Sequence, residues 1–261
     1  MCILFLAINQ HPDYPLIVAA NRDESFVRPS QSMHYWPDYP EILAGRDTLK
    51  GGSWLGVNLA GQFCAVTNFR TGGATNMRAK SRGWLVQRYL TNEQTDKRFI
   101  ASLEKTHREY NPFNLVFGAP ESISIFCSED SSLHCLEDGF HSLSNGFVDQ
   151  HWPKMSYGVQ RLTELISKHA IIEIDQLNAI MRDQTQAGDH DLPGTGPDIA
   201  VSQAIEKQQS SIFIRASDRG DYGTRTTSYL LYSNKNIRIY EFNYDKDARV
   251  TDQQAFTLPF V

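Results

Sequence analysis

Cysteine is scarce in this chain, with only Cys2, Cys64, Cys127 and Cys135 among 261 residues, and none of them falls in the paired CxxC spacing of a zinc site. That excludes a disulfide-stapled scaffold, so the four thiols read as reduced. Long apolar runs are missing as well: nothing approaches the roughly 18 residues of a membrane-spanning helix. The apolar opening from Cys2 to Ile8 is too short for a secretory leader and no basic residue precedes it. The expectation is a soluble cytoplasmic protein with no integral membrane segment. Positive charge is not in excess either, since 25 Lys and Arg stand against 30 Asp and Glu. No field draws nucleic acid or an anionic membrane, and neither is expected as a partner. Apolar residues are sufficient, at 41% with 21% charged, to build a sizeable core. The length fits one domain over 1–261, without internal repeat or low-complexity tract.

Short apolar or alternating runs at 3–8, 16–20, 42–44, 54–58 and 63–67 read as strands of an antiparallel meander, separated by turn clusters. Helical spacing follows after Ser81, a candidate N-cap, and again over 99–107. Strand-like runs at 115–118, 123–127, 133–136 and 141–143 imply a second sheet. Helical periodicity returns over 159–168 and 174–181. Residues 184–198, rich in Gly, Pro and Asp, read as a loop suited to a lid, and strands close the chain at 212–214, 224–232 and 237–242. This alternation predicts an α+β fold of two packed sheets with helices outside.

Cys2 is the most informative residue. Removal of Met1 would leave one residue carrying both a thiol and a free α-amine. An α-amine has a pKa of about 7.7–8.0, so part of it is unprotonated near neutrality and able to take the thiol proton. The thiolate would then attack an amide carbonyl and form an acyl-enzyme. The same cysteine also reads as the first core residue of an apolar strand. The run Asn21-Arg22-Asp23-Glu24 follows the second strand without a gap. It reads either as a solvated turn or as a site in which Arg22 lowers a thiol pKa and Asp23 orients an α-amine.

Met1-Cys2, Asn21-Arg22-Asp23-Glu24, Gly52-Ser53-Trp54-Leu55-Gly56 and Val66-Thr67-Asn68-Phe69-Arg70 together resemble the NRDE family, also called the transport and Golgi organisation protein 2 family. Ser81-Arg82-Gly83, the run from Asn111 to Gly118, Leu143-Ser144-Asn145 and Tyr222-Gly223-Thr224-Arg225-Thr226 extend the resemblance over nearly the whole chain. It implies a four-layered αββα sandwich of mainly antiparallel sheets, of the N-terminal nucleophile hydrolase kind and similar to penicillin V acylases and bile salt hydrolases. By that likeness Cys2 is the nucleophile, and Arg22 and Asp23 are its supporting pair, adjacent here where the acylases separate theirs. Asn68 and Asn145 resemble the two asparagines at the oxyanion, and Arg225 resembles the late arginine. An amide donor aimed at a developing oxyanion in a dry site is worth about 3 to 4 kcal/mol of barrier. The implied activity is hydrolysis of a small or linear amide C–N bond. The family also implies an alternative, a non-catalytic carrier of haem or lipid in the same pocket, with haem as cargo rather than cofactor.

Other features are plainer. Gly51-Gly52 and Gly56 make no phosphate loop, because no helix-opening Lys-Ser or Lys-Thr follows. Arg70, Arg78, Lys80 and Arg82 read as a solvated basic loop or as a handle for an anionic substrate group. His134-Cys135 and Asp189-His190-Asp191 lack ligand spacing, so no metal site and no cofactor is expected.

Overall fold

The computed structural model describes residues 2–72, 75–91, 95–192, 202–217 and 220–260. The chain opens with a hairpin, β1 (Cys2–Ile8) and β2 (Leu16–Ser25), then leaves for a run of strands β3 (Ser30–Trp36), β4 (Tyr39–Asp47), β5 (Leu55–Asn58) and β6 (Phe63–Asn68). Helices α1 (Gly83–Leu90) and α2 (Asp96–Thr106) precede β7 (Phe113–Ala119), β8 (Ser122–Cys127), β9 (Ser132–Cys135) and β10 (Gly139–Leu143). Then come α3 (Pro153–Lys168), α4 (Ile174–Met181), the short α5 (Gln203–Gln208), and β11 (Tyr222–Tyr232), β12 (Asn236–Tyr244) and β13 (Val250–Pro259).

These strands make two antiparallel sheets. The first has the order β10-β1-β2-β11-β12-β13 and the second is an unbroken meander, β3 to β9. Strand alternation sorts the side chains into layers. Leu4, Leu6 and Ile8 of β1 with Leu16, Val18 and Ala20 of β2 face the second sheet and meet Leu55, Val57, Phe63 and Ala65 there. Ile3, Phe5 and Ala7 with Ile17 and Ala19 face outward and are covered by Met155, Leu162, Leu177 and Ile180 of α3 and α4. On the far side, Leu85, Val86, Leu90 and Phe99 of α1 and α2 cover Cys64, Leu115 and Phe117. The result is the expected αββα stack, with three apolar layers between four layers of structure.

Local chemistry sets the helix starts. Pro153 occupies the first turn of α3, where its missing N–H costs nothing. Glu173 and Gln176 form a reciprocal capping box on α4. Gly158 of α3 lies so close to Phe5 that a Cβ there would sit 2.0 Å from the ring, which sets how near the helix layer approaches the sheet.

Several expectations differ from the structure. The early meander divides, because β1 and β2 belong to the first sheet and β3 to β6 to the second; β10 returns to pair with β1. The strands β3 and β13, not anticipated, are sheet edges in which polar residues separate the buried ones, Met33 and Trp36 on β3 and Leu258 on β13. Ile212–Ile214, expected as a strand, joins neither sheet. Its backbone is taken up elsewhere: Asn21 Nδ2 donates to the Ile212 carbonyl, Phe213 N–H to the Asp183 carbonyl, and Ile214 N–H to Thr224 Oγ1. Of the loop expected over 184–198, residues 193–198 lie outside the described residues. Among the described residues no helix is long and apolar enough to cross a membrane.

Candidate active site

Cys2 is the first residue of β1 and pairs in register with Arg22 on β2. β2 runs on through Ser25, so Asn21-Arg22-Asp23-Glu24 is strand rather than a solvated turn, and the first three side chains are buried. Alternation then gives adjacent residues opposite faces. Arg22, in phase with Val18 and Ala20, turns toward the second sheet. Its guanidinium stacks over Trp54 at 4.2 Å, and its Nη1 has no hydrogen-bond partner among the described residues. Asp23, in phase with Ala19 and Asn21, turns toward the helix layer, where Oδ1 accepts a 2.6 Å hydrogen bond from Thr224 Oγ1. Neighbouring positions thus place one charge on each side of the nucleophile-bearing strand. Asn21 ties β2 to that helix layer, donating to the carbonyls of Met181 and Ile212 while accepting from Thr227 Oγ1.

A cavity of about 290 Å³ opens at this end of the sandwich. Its wall includes Cys2, Arg22, Asp23, Trp54, Asn68 and Arg82. Gly52 makes it possible: a Cβ there would lie 2.4 Å from the backbone of Gly83, and Ser53 N–H donates to the Gly83 carbonyl. That close approach brings Trp54 and Arg82 to one rim. Arg28 is neutralised by Asp47 at 2.6 Å, whereas Arg82 donates to the Pro112 carbonyl and has no carboxylate at ion-pair distance among the described residues.

Electrostatics at the centre are dominated by burial. Burial pushes the Cys2 thiol up and Asp23 adds to this by its charge, while the N-terminal ammonium, a backbone hydrogen bond from Asp23 and Arg22 oppose it. Burial also raises the Asp23 carboxyl to about 6, against the pull first of the N-terminal ammonium and then of Lys154, Thr224 and Arg22. Arg22 itself is pulled down by burial.

The asparagines divide. Asn68 ends β6, is exposed and lines the cavity. Asn145, buried just after β10, donates through Nδ2 to the Asn68 carbonyl at 2.7 Å, and its own carbonyl accepts from Arg70 N–H. It grips the segment that carries Asn68. Arg225 is the bulged residue between Thr224 and Thr226 on β11, and it is not part of the cavity wall. It donates to the carbonyls of Ser25 and Arg28 and so fastens the loop that leaves β2. Four of the six candidates, Cys2, Arg22, Asp23 and Asn68, therefore line one cavity, while Asn145 and Arg225 stand outside it and each fastens the backbone of a wall residue, Asn68 and Arg28.

The basic loop also separates. Arg70 forms an ion pair with the buried Glu206 of α5, and Lys80 and Arg82 both line the cavity, Lys80 paired with Glu109 and Arg82 interacting electrostatically with the Cys2 thiol. Sequence reading did not single out Ser144, whose Oγ donates to the Cys2 carbonyl, or Lys154, buried in the first turn of α3. Lys154 shares the i, i+4, i+8 phase of Gly158 and Leu162, so its place on the buried stripe was available as a signal.

Comparison with known proteins gives the family and the fold. A bovine (Bos taurus) transport and Golgi organization protein 2 homolog is 28% identical over 249 residues, covering 88% of each chain. A mouse (Mus musculus) homolog is 29% identical over 282 residues, covering 99% of each. Among solved structures, a Caenorhabditis elegans ortholog of N-acylethanolamine-hydrolyzing acid amidase superposes with a TM-score of 0.51 at 10% identity, covering 88% of this chain and 92% of that one, which shows a shared fold. The family described as Transport and Golgi organisation 2 matches residues 1–246, and the chain belongs to that family.

Proposed function

We propose that the protein is a cysteine-dependent amidohydrolase acting on a small or linear amide C–N bond, with Cys2 as nucleophile. The observation that carries this is the placement of the Cys2 thiol on a cavity wall between Arg22 and Asp23. After removal of Met1, the α-amine of Cys2 takes the thiol proton as sulfur bonds to the substrate carbonyl carbon. Asn68 donates to the resulting oxyanion, and Asn145 acts through Asn68 by holding its backbone. Collapse breaks the C–N bond, and the amine leaves with the proton that the α-amine held. Water then attacks the thioester, giving its proton to the α-amine. The C–S bond breaks, the acid departs and the thiol is restored. Arg22 favours the thiolate by its charge, Asp23 orients the α-amine, and Arg225 keeps the β2–β3 loop in place.

The wall mixes Trp54, Val66 and Met77 with Arg22, Asp23, Arg28, Asp47 and Arg82, so a small amide carrying polar or charged groups finds partners in it. On this reading the enzyme works as one domain in the cytoplasm, in keeping with four unpaired thiols. Two measurements test it. Intact mass should show Met1 removed, and Cys2→Ala should lower turnover of an N-acyl amide panel by about 10⁴-fold or more while the fold is kept. Full activity in Cys2→Ala, or turnover by a chain that retains Met1, overturns it.

A further inference from the structure

One buried cation beside this centre has no task in the scheme above, on whose reading of Cys2 the following rests. Lys154 is 6% exposed, and its Nζ donates to the Gln209 carbonyl at 3.0 Å. Among the described residues it has no carboxylate at ion-pair distance. Burying an ammonium against a single neutral acceptor is unfavourable unless a charge nearby compensates. Its surroundings identify that charge. α3 lies on the outer face of the first sheet, the face toward which strand alternation turns Asp23. Trp152, Arg70, Glu206 and Ser210 close around Lys154, and Glu206 is already engaged by Arg70. Asp23 and Cys2 therefore remain as its electrostatic counterparts, with Arg70 opposing them. Also acting on Asp23 are the N-terminal ammonium, which is the strongest, the Thr224 hydroxyl and Arg22.

We propose that Lys154 is a positioning residue of the Cys2 centre: tethered to the Gln209 carbonyl beneath the first sheet, its ammonium is a fixed positive charge that, beside the N-terminal ammonium, helps keep the Asp23 carboxylate ionised behind the nucleophile. Asp23 in turn holds the protonated α-amine during acylation. Lys154 itself touches neither substrate nor the reacting atoms.

The test follows the Asp23 carboxylate by its ¹³C resonance as pH is varied in the full chain, with Asp23→Asn used for assignment. In wild type the midpoint should fall near the value of about 6 that burial and these neighbours produce. Lys154→Met should raise it by about one pH unit, and Lys154→Arg should restore it. A folded Lys154→Met with an unmoved midpoint overturns the proposal. Should Lys154→Met not fold, the ¹⁵N resonance of the Lys154 ammonium in wild type replaces it. That resonance should shift with the same midpoint as Asp23, and a flat titration overturns the proposal equally. A chain inert toward every amide in which Lys154→Met still moves the midpoint upholds the charge coupling and removes only the hydrolase reading.

Discussion

Cys2, half-buried, and Cys64, fully buried, are thiols in facing sheets, and their surroundings differ in kind. Cys64 on β6 lies under α1 and α2 among Leu85, Leu90, Phe99 and Phe117, and burial alone pushes its thiol far up. Cys2 is pushed up by burial as well, yet an N–H and a guanidinium beside it favour the thiolate, and a cavity gives access. Burial makes both reluctant to ionise; only one region offers a thiolate anything in return. The region around Cys64 is built for cohesion, and the one around Cys2 holds charges at a cost to the fold.

That contrast can be broken or sharpened by experiment. The largest expected effect is on labelling. In a Cys135→Ser background, which removes the exposed thiol, iodoacetamide should modify Cys2 faster than Cys64 on the order of a thousandfold, because Cys64 reacts only through opening of the core. Peptide mass spectrometry measures the ratio, and comparable rates would erase the distinction. Next is Asp23→Asn. The Asp23 pKa is about 6 in the fold against about 3.9 unfolded, so between these values the native state binds more protons and stability falls as pH rises. Above pH 7 the ionised carboxylate costs about 3 kcal/mol, the product of that gap and 1.36 kcal/mol per unit. Asp23→Asn should therefore raise stability by about that amount at pH 8 and by little at pH 4, while turnover falls; urea melts at the two pH values decide it. The smallest effect is packing. Cys64→Ala should destabilise by about 1–2 kcal/mol, whereas Cys2→Ala should change stability by less than about 0.5 kcal/mol, as measured by the same melts.

Much of the layering was legible in the chain because alternation and helical spacing carry it: the interior strands at 63–68 and 113–119 and the helix at 174–181 lie where their apolar residues predict. The edge strands β3 and β13 were not, since their core residues Met33, Trp36 and Leu258 are set among Gln31, Ser32, Asp252 and Gln253 and form no continuous apolar run. Of the site, Cys2, Arg22, Asp23 and Asn68 could be named from their motifs, but not the faces they take. Those depend on β2 continuing to Ser25, which a run of four polar residues conceals. Asn145 and Arg225 were also found by motif, yet their bonds to backbone carbonyls depend on segments distant in sequence. Lys154 was hidden by residue type, because a lysine on an apolar stripe ordinarily extends to solvent.

The bulge on β11 places one extra residue between Thr224 and Thr226. In a regular strand, residues two apart point the same way. Here Thr224 reaches Asp23 in the helix layer, while Thr226 bonds Asn243, whose amide meets Ser32 of the opposite sheet. Chain length at this point, rather than the identity of either threonine, decides which layer each one serves. A relative that lacked one residue here would keep both hydroxyls and lose the division between them.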